Sequence, residues 1–386
     1  MKESRTDPGK RKETQTRSDG ILKRCRGRHI LLAVSAVLIL LHLVSRRNRT
    51  LMAALSDRIV RPVHGFLSQL NSHVSFSVAE LLLLAAAVFA LVCLVLLLFR
   101  LFFRKNRWES LYVFFITILS SGLAVYAGFC MLWGVYYYGE NFLEKSGLRN
   151  DEISVEQLET VTRYFAEKAN AYAGLVDRDS SGVYSADFDR ILEESTEVFS
   201  NTEQEYPCLA GKPTRAKGIF HSRLLSYTDF TGFFFPFTAE ANVNTDVPST
   251  YFASTVAHEL SHQRGVAAEQ EANFTAVLAS LNYGNPDYVY SSALLAYTHL
   301  SNALYKVDYD RWESIYQTLK PEILADFAVE REYWKQFETP VETVSNSVYE
   351  SFLQSYDQDL GLQSYGACVD LLVNFYYEEA EKALDN

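Results

Sequence analysis

The sequence is poor in cysteine, with five in 386 residues, too few for a disulfide scaffold. Cys25, Cys93 and Cys130 fall in the basic tail and the apolar segments, which leaves Cys208 and Cys368 as the one pair able to bridge. Positive charge is scarce across the larger part of the chain. Residues 138–386 carry 17 basic against 40 acidic side chains, a surface that would repel a phosphate backbone, so nucleic acid is excluded as its partner. Residues 1–137 reverse the balance, with 19 basic and 7 acidic side chains. There is no internal repeat, and no low-complexity segment beyond the charged N-terminal tail.

Charge of either sign is missing from two long stretches. Leu81–Phe99 is an unbroken apolar run of 19 residues, enough to cross a hydrocarbon core at helical rise. Leu111–Tyr138 contains no charged residue and ends in Tyr136, Tyr137 and Tyr138, an aromatic finish expected at a membrane interface. Ile30–Val44 is shorter. The stretch before it is too long for a signal peptide and no small-residue cleavage site follows Val44, so it reads as a first span.

Three spans place the basic tail (Lys10, Arg11, Lys12, Lys23, Arg24, Arg26, Arg28) and the basic loop (Arg100, Arg104, Lys105, Arg107) on one side. The positive-inside rule makes that side cytoplasmic and everything after Tyr138 extracytoplasmic. Arg46, Arg47, Arg49, Arg58 and Arg61 in the first loop run against the rule. Part of that loop, residues 51–70, is amphipathic, a pattern suited to the membrane surface. The expected organisation is a basic cytoplasmic tail (1–29), a three-span plasma-membrane region (30–138) and an extracytoplasmic domain (139–386).

The outer domain is patterned mainly for helix, with one interruption. Residues 215–246 are aromatic and β-branched, broken by Gly232 and Pro236, and predict two or three short strands in a small antiparallel sheet. The fold class is therefore three membrane helices plus a mainly α, α+β outer domain. Pro248, Ser249 and Thr250 predict a helix start and Gly265 its stop, with a second helix from about Ala267 to Leu281.

The first of these helices carries His258, Glu259 and His262 in a His-Glu-x-x-His pattern. Residues four apart share a helix face, so both imidazoles can address one metal ion, and Glu259 stands beside them as a general base. Two histidines and a carboxylate favour Zn2+. The third ligand is expected to be Glu269, with Glu271 as the alternative, and Asn273, four residues after Glu269, can accept a ring N–H from a ligating histidine. The plainer reading is a surface helix with solvated histidines. His299 has no partner at metal spacing and reads as a core or surface histidine. His221, Tyr227, Tyr283 and Tyr297 are the candidate donors to a tetrahedral intermediate, each with an equally simple structural role.

At these residues the chain resembles the gluzincin metallopeptidases, and "EQEAN" is similar to the Glu-x-x-Ala-Asp element of the membrane-bound prenyl-protein and heat-shock type peptidases. Asn273 stands where those have Asp, and the spacing from His262 to Glu269 is short for that class. The resemblance implies a zincin-like outer domain in which a strand beside the metal pairs with substrate. Ala239–Asn244 (Ala239, Glu240, Ala241, Asn242, Val243, Asn244) is the candidate, with a buried structural strand as the alternative and Glu240 either an amine anchor or a solvated strand residue. Over nearly its whole length, through "GFFFPFTAEANVN" and "HELSHQRGVAAEQEANF", the chain resembles the bacterial membrane family designated domain of unknown function 3810. The expected function is a zinc peptidase acting on peptides or proteins at the outer face of the membrane. The alternative is a zinc-containing envelope binding or sensor module without turnover.

Overall fold

A computed structural model describes residues 20–103, 106–356 and 365–385. Lys10, Arg11, Lys12, Arg104 and Lys105 of the orientation argument lie outside the described residues. The chain is mostly helical, and three helices are long and apolar enough to cross a membrane: Arg26–Ser45, Val78–Phe103 and Arg107–Gly134. In chain order the main elements are α1 (Arg26–Ser45), α2 (Arg61–Asn71), α3 (Val78–Phe103), α4 (Arg107–Phe129), α5 (Val155–Tyr172), β1 (Lys217–Gly218), β2 (Gly232–Phe235), β3 (Glu240–Val243), α6 (Phe252–Gln263), α7 (Glu269–Tyr283), α8 (Pro286–Val307), α9 (Pro321–Lys335), α10 (Pro340–Ser355) and α11 (Tyr365–Leu384).

Two compact units are present. One comprises residues 1–47 and 81–132, the other residues 48–80 and 133–386. The loop between the first two apolar helices therefore belongs with the large unit, which a division at residue 138 misses. In the first unit α1 packs on α4, and His29 and Tyr112 meet through their polar tips at 2.5 Å. Arg24 pairs with Glu109.

In the large unit α5, α6, α7, α8 and α11 pack about one core that includes Phe165, Leu260, Phe274, Tyr290 and Leu300, all fully buried. Local signals set the helix ends. Ser154 and Gln157 form a reciprocal capping box at α5, and Asn285 with Pro286 starts α8, in each case satisfying N–H groups that the helix leaves unpaired. The expected start of α6 differs in detail. Its first residue is Phe252 with no side-chain cap, because the Ser249 hydroxyl accepts from Ala186 N–H and Thr250 donates to Asp326 O. Cys208 and Cys368 are free thiols.

The sheet is mixed rather than antiparallel. Its order is β1-β3-β2, with β1 parallel and β2 antiparallel to β3. This corrects the reading of Ala239–Asn244 as a substrate strand, since β3 is central and all four of its residues are buried. Glu240 is neither an amine anchor nor solvated. Its carboxylate is 3 % exposed, accepts from Lys217 Nζ at 2.5 Å and from the N–H groups of Val78 and Ala79. A buried carboxylate requires such neutralisation. Tyr136, expected at a membrane interface, is also buried in the large unit, with its ring 6.0 Å from that of His64.

Candidate metal centre

Helix α6 ends as its sequence suggests, with Gly265 in a left-handed conformation at φ 88°. A Cβ at this position would lie 2.7 Å from the Tyr136 ring, so both the backbone and the packing demand glycine. The turn aims the Val266 carbonyl back at the helix, where it accepts from Nδ1 of His262 at 2.7 Å. A carbonyl can only accept, so in the neutral ring the His262 proton sits on Nδ1 and Nε2 offers its lone pair.

His258 is held in the same way. Its Nδ1 donates to Oδ1 of Asn273 at 2.8 Å, one turn beyond Glu269 on α7. Both Nε2 atoms then converge on one oxygen, Oε2 of Glu269, at 3.2 Å from His258 and 3.6 Å from His262. One ligand atom from each residue falls within 4.8 Å of the other two.

Glu271 is directed elsewhere. It accepts from the N–H groups of Phe142 and Leu143 at 3.0 and 3.1 Å, capping the short helix Phe142–Ser146, and is buried. Its two oxygens are thereby committed, and the structure brings Glu269 rather than Glu271 to the histidines.

The donor set fits a divalent metal ion. Two neutral imidazole nitrogens and a carboxylate oxygen, each oriented by a hydrogen bond behind it, are the groups such an ion takes. The electrostatics agree. Burial opposes a charge on His262, yet the adjacent Glu269 carboxylate pushes its pKa up to about 9. Burial likewise opposes ionisation of Glu269, but His262 and His258 hold its carboxyl well below the ordinary value. The cluster thus stabilises positive charge at its centre.

Glu259 is 4 % exposed, and its Oε2 has no hydrogen-bond partner. Burial lifts its pKa to about 7 against the opposing pull of His258 and His262. Strand β2 runs directly over it. A Cβ on Gly232 would stand 2.7 Å from Glu259 Oε1 and 2.9 Å from Asn242 O, so the approach requires the absent side chain.

Each of the four proposed intermediate donors makes a contact outside this cluster. His221 Nδ1 meets Glu80 Oε1 at 2.6 Å, Tyr227 packs on Phe337, Tyr283 on Tyr288 and Tyr297 on Phe327. The hydroxyl at the site belongs instead to Tyr349 of α10, which donates to Glu269 Oε1 at 2.7 Å. Tyr137 is a second neighbour: its own ionisation is suppressed by burial and then by the Glu269 charge. No spacing rule links positions 137 or 349 to 269, in a chain with 24 tyrosines. His299 is a buried histidine beside His258, its pKa lowered to about 4 by burial first and by His258 second.

A family model described as "Protein of unknown function (DUF3810)" matches residues 56–373. The chain belongs to this family. The match to DUF3810 takes in the loop from residue 56 as well as the His258, His262 and Glu269 cluster. No curated protein and no solved structure matches the chain.

Proposed function

We propose that this protein is a membrane-anchored, zinc-dependent peptidase that hydrolyses peptide bonds at the outer face of the membrane. The observation that carries the reading is the convergence of His258 Nε2, His262 Nε2 and Glu269 Oε2 beside the buried, unpartnered Glu259 carboxylate. A bound zinc ion supplies a Lewis acid that polarises a carbonyl and acidifies water.

The chain's own groups divide the remaining work. Asn273 and the Val266 carbonyl fix the imidazole tautomers. Tyr349 orients the Glu269 carboxylate. Glu259 takes a proton from the attacking water at Oε2 and returns it to the leaving amine, so that hydrolysis closes with no net proton change on the carboxylate. Among the described residues β2 has no strand on its outer side. An extended peptide adding to that edge would lie beside Glu259, its main chain held by sheet-type hydrogen bonds. The excess of basic residues at the N-terminus supports an orientation with this unit outside.

The test is full-length protein in detergent beside Glu259→Gln. The variant should keep about one zinc per chain and lose roughly 10²- to 10⁴-fold in hydrolysis of a peptide library. Loss of zinc in Glu259→Gln would refute the assigned roles. Zinc without hydrolysis in the unsubstituted protein would favour the non-catalytic binding module.

A further inference from the structure

Helix α2 and the turn before it are inside out. The residues facing the large unit are Ser56, Val60, His64 and Ser68, 1, 4, 2 and 6 % exposed. Facing outward at matching steps are Ile59, Val63, Phe66 and Leu70, 55, 37, 67 and 56 % exposed. A water-facing helix has the opposite arrangement, because apolar surface left in water costs about 25 cal/mol per Å². The outward stripe calls for an apolar partner.

Chain connectivity names that partner. Asn48 follows the end of α1 by three residues, and α3 begins at Val78, seven residues beyond Asn71. An extended chain advances at most about 3.6 Å per residue, so the segment is tethered at both ends close to helices of membrane-spanning length. A second stretch is tied to the start of α3. Glu80, in the first turn of α3, accepts the N–H groups of Phe220 and His221, presenting the Phe220 ring at 88 % exposure.

Beside the stripe lies a cavity of about 620 Å³, walled by Pro62, Phe66 and Gln69 of α2, by residues 210–212 and by Arg264. Arg61, Lys212 and Arg264 bring three cations to it. Its one carboxylate, Asp57, already pairs with Lys145. Arg264 is 7 % exposed, its Nε has no hydrogen-bond partner, and among the described residues no carboxylate forms an ion pair with it; its guanidinium rests 4.0 Å from the Phe199 ring centroid. The guanidinium donates to the Leu260 carbonyl at 3.4 Å and feels the Glu203 carboxylate only through space; a buried guanidinium with no direct ion pair favours added negative charge beside it.

We propose that this face seats an anionic phospholipid, with its phosphate among Arg61, Lys212 and Arg264 and its acyl chains along Val63, Phe66 and Leu70. Phe66 borders both regions and joins the polar and apolar halves of the site. The assignment is independent of the peptidase reading.

The experiment uses full-length protein and two probes. In native mass spectrometry from detergent, phosphatidylglycerol should be retained about tenfold more strongly than phosphatidylcholine. That preference should vanish in Lys212→Glu, whose side chain is exposed and whose fold should persist, and inorganic phosphate should not displace the lipid. In nanodiscs, a Phe66→Trp variant should be quenched by brominated acyl chains and shielded from acrylamide. Equal retention of both lipids, unchanged by Lys212→Glu, would overturn the proposal. Displacement by inorganic phosphate would reassign the cavity to a free anion and overturn the lipid. Quenching by acrylamide alone would put the stripe in water. Protection from both quenchers together with doubled mass would assign it to a second copy of the chain, and either result refutes lipid docking.

Discussion

Tyr349 and Glu269 are eighty positions apart in sequence and joined by a 2.7 Å hydrogen bond, from the tyrosine Oη to Oε1 of the carboxylate. The other oxygen, Oε2, faces Nε2 of both His258 and His262. One carboxylate is therefore shared between a positioning hydroxyl and the candidate metal site. Helix α10 is attached to the chemistry through this contact, with Tyr349 also packing on Phe230.

Tyr349→Phe removes only the hydroxyl. It should weaken zinc binding by about 10- to 100-fold, the usual effect of losing a hydrogen bond behind a ligand, while the melting temperature shifts little. Competition against a chelator of known affinity measures this. Unchanged affinity would leave the tyrosine a packing residue.

Glu269 and Glu271 separate cleanly. Glu269→Ala should lose the metal, whereas Glu271→Gln should keep it and lower stability by about 1–3 kcal/mol, because Phe142 and Leu143 lose a charged acceptor. Elemental analysis and a thermal melt on the same samples decide it. Metal lost from Glu271→Gln in a folded protein would contradict the geometry.

Gly232→Ala inserts a methyl group 2.7 Å from Glu259 Oε1. Either β2 or the carboxylate must move, at a cost of about 1–3 kcal/mol, and hydrolysis should fall with zinc content retained. Wild-type activity in this variant would show that β2 does not constrain Glu259.

Glu330 on α9 reports on pH. Burial raises its pKa to about 7, opposed by the Trp334 and Thr250 hydrogen bonds, whereas an unfolded glutamate titrates near ~4.3. The folded protein thus binds the proton more tightly, and stability declines as pH rises from about 4.3 through 7. Glu330→Gln should match the native melting temperature near pH 5 and exceed it by a few degrees at pH 8, about 1–2 kcal/mol after allowing for partial exposure. A difference that does not change with pH would sink the assignment.

The parts of the protein legible in sequence are those set by local periodicity. Three apolar runs, read by length and absence of charge, coincide with the three helices of membrane-spanning length. The His258–His262 pair depends only on the four-residue helical repeat, and the need for positive φ at the stop is enough to predict Gly265, although its packing against Tyr136 is a tertiary matter. Even the link between α6 and α7 is short enough for a turn to bring Glu269 back to the histidines.

What the tertiary structure alone decided are relationships between distant segments. Glu271 caps a helix some 130 residues upstream, and Tyr349 reaches the site from 80 residues downstream. Strand order made β3 central and left β2 at the edge beside Glu259, although β2 (Gly-Phe-Phe-Phe) is the more apolar and β3 (Glu-Ala-Asn-Val) the more polar of the two. The first loop could be read as amphipathic, but which face it buries could not. Its polar side, His64 and Ser68, turns inward, and only packing against the rest of the unit reveals that choice.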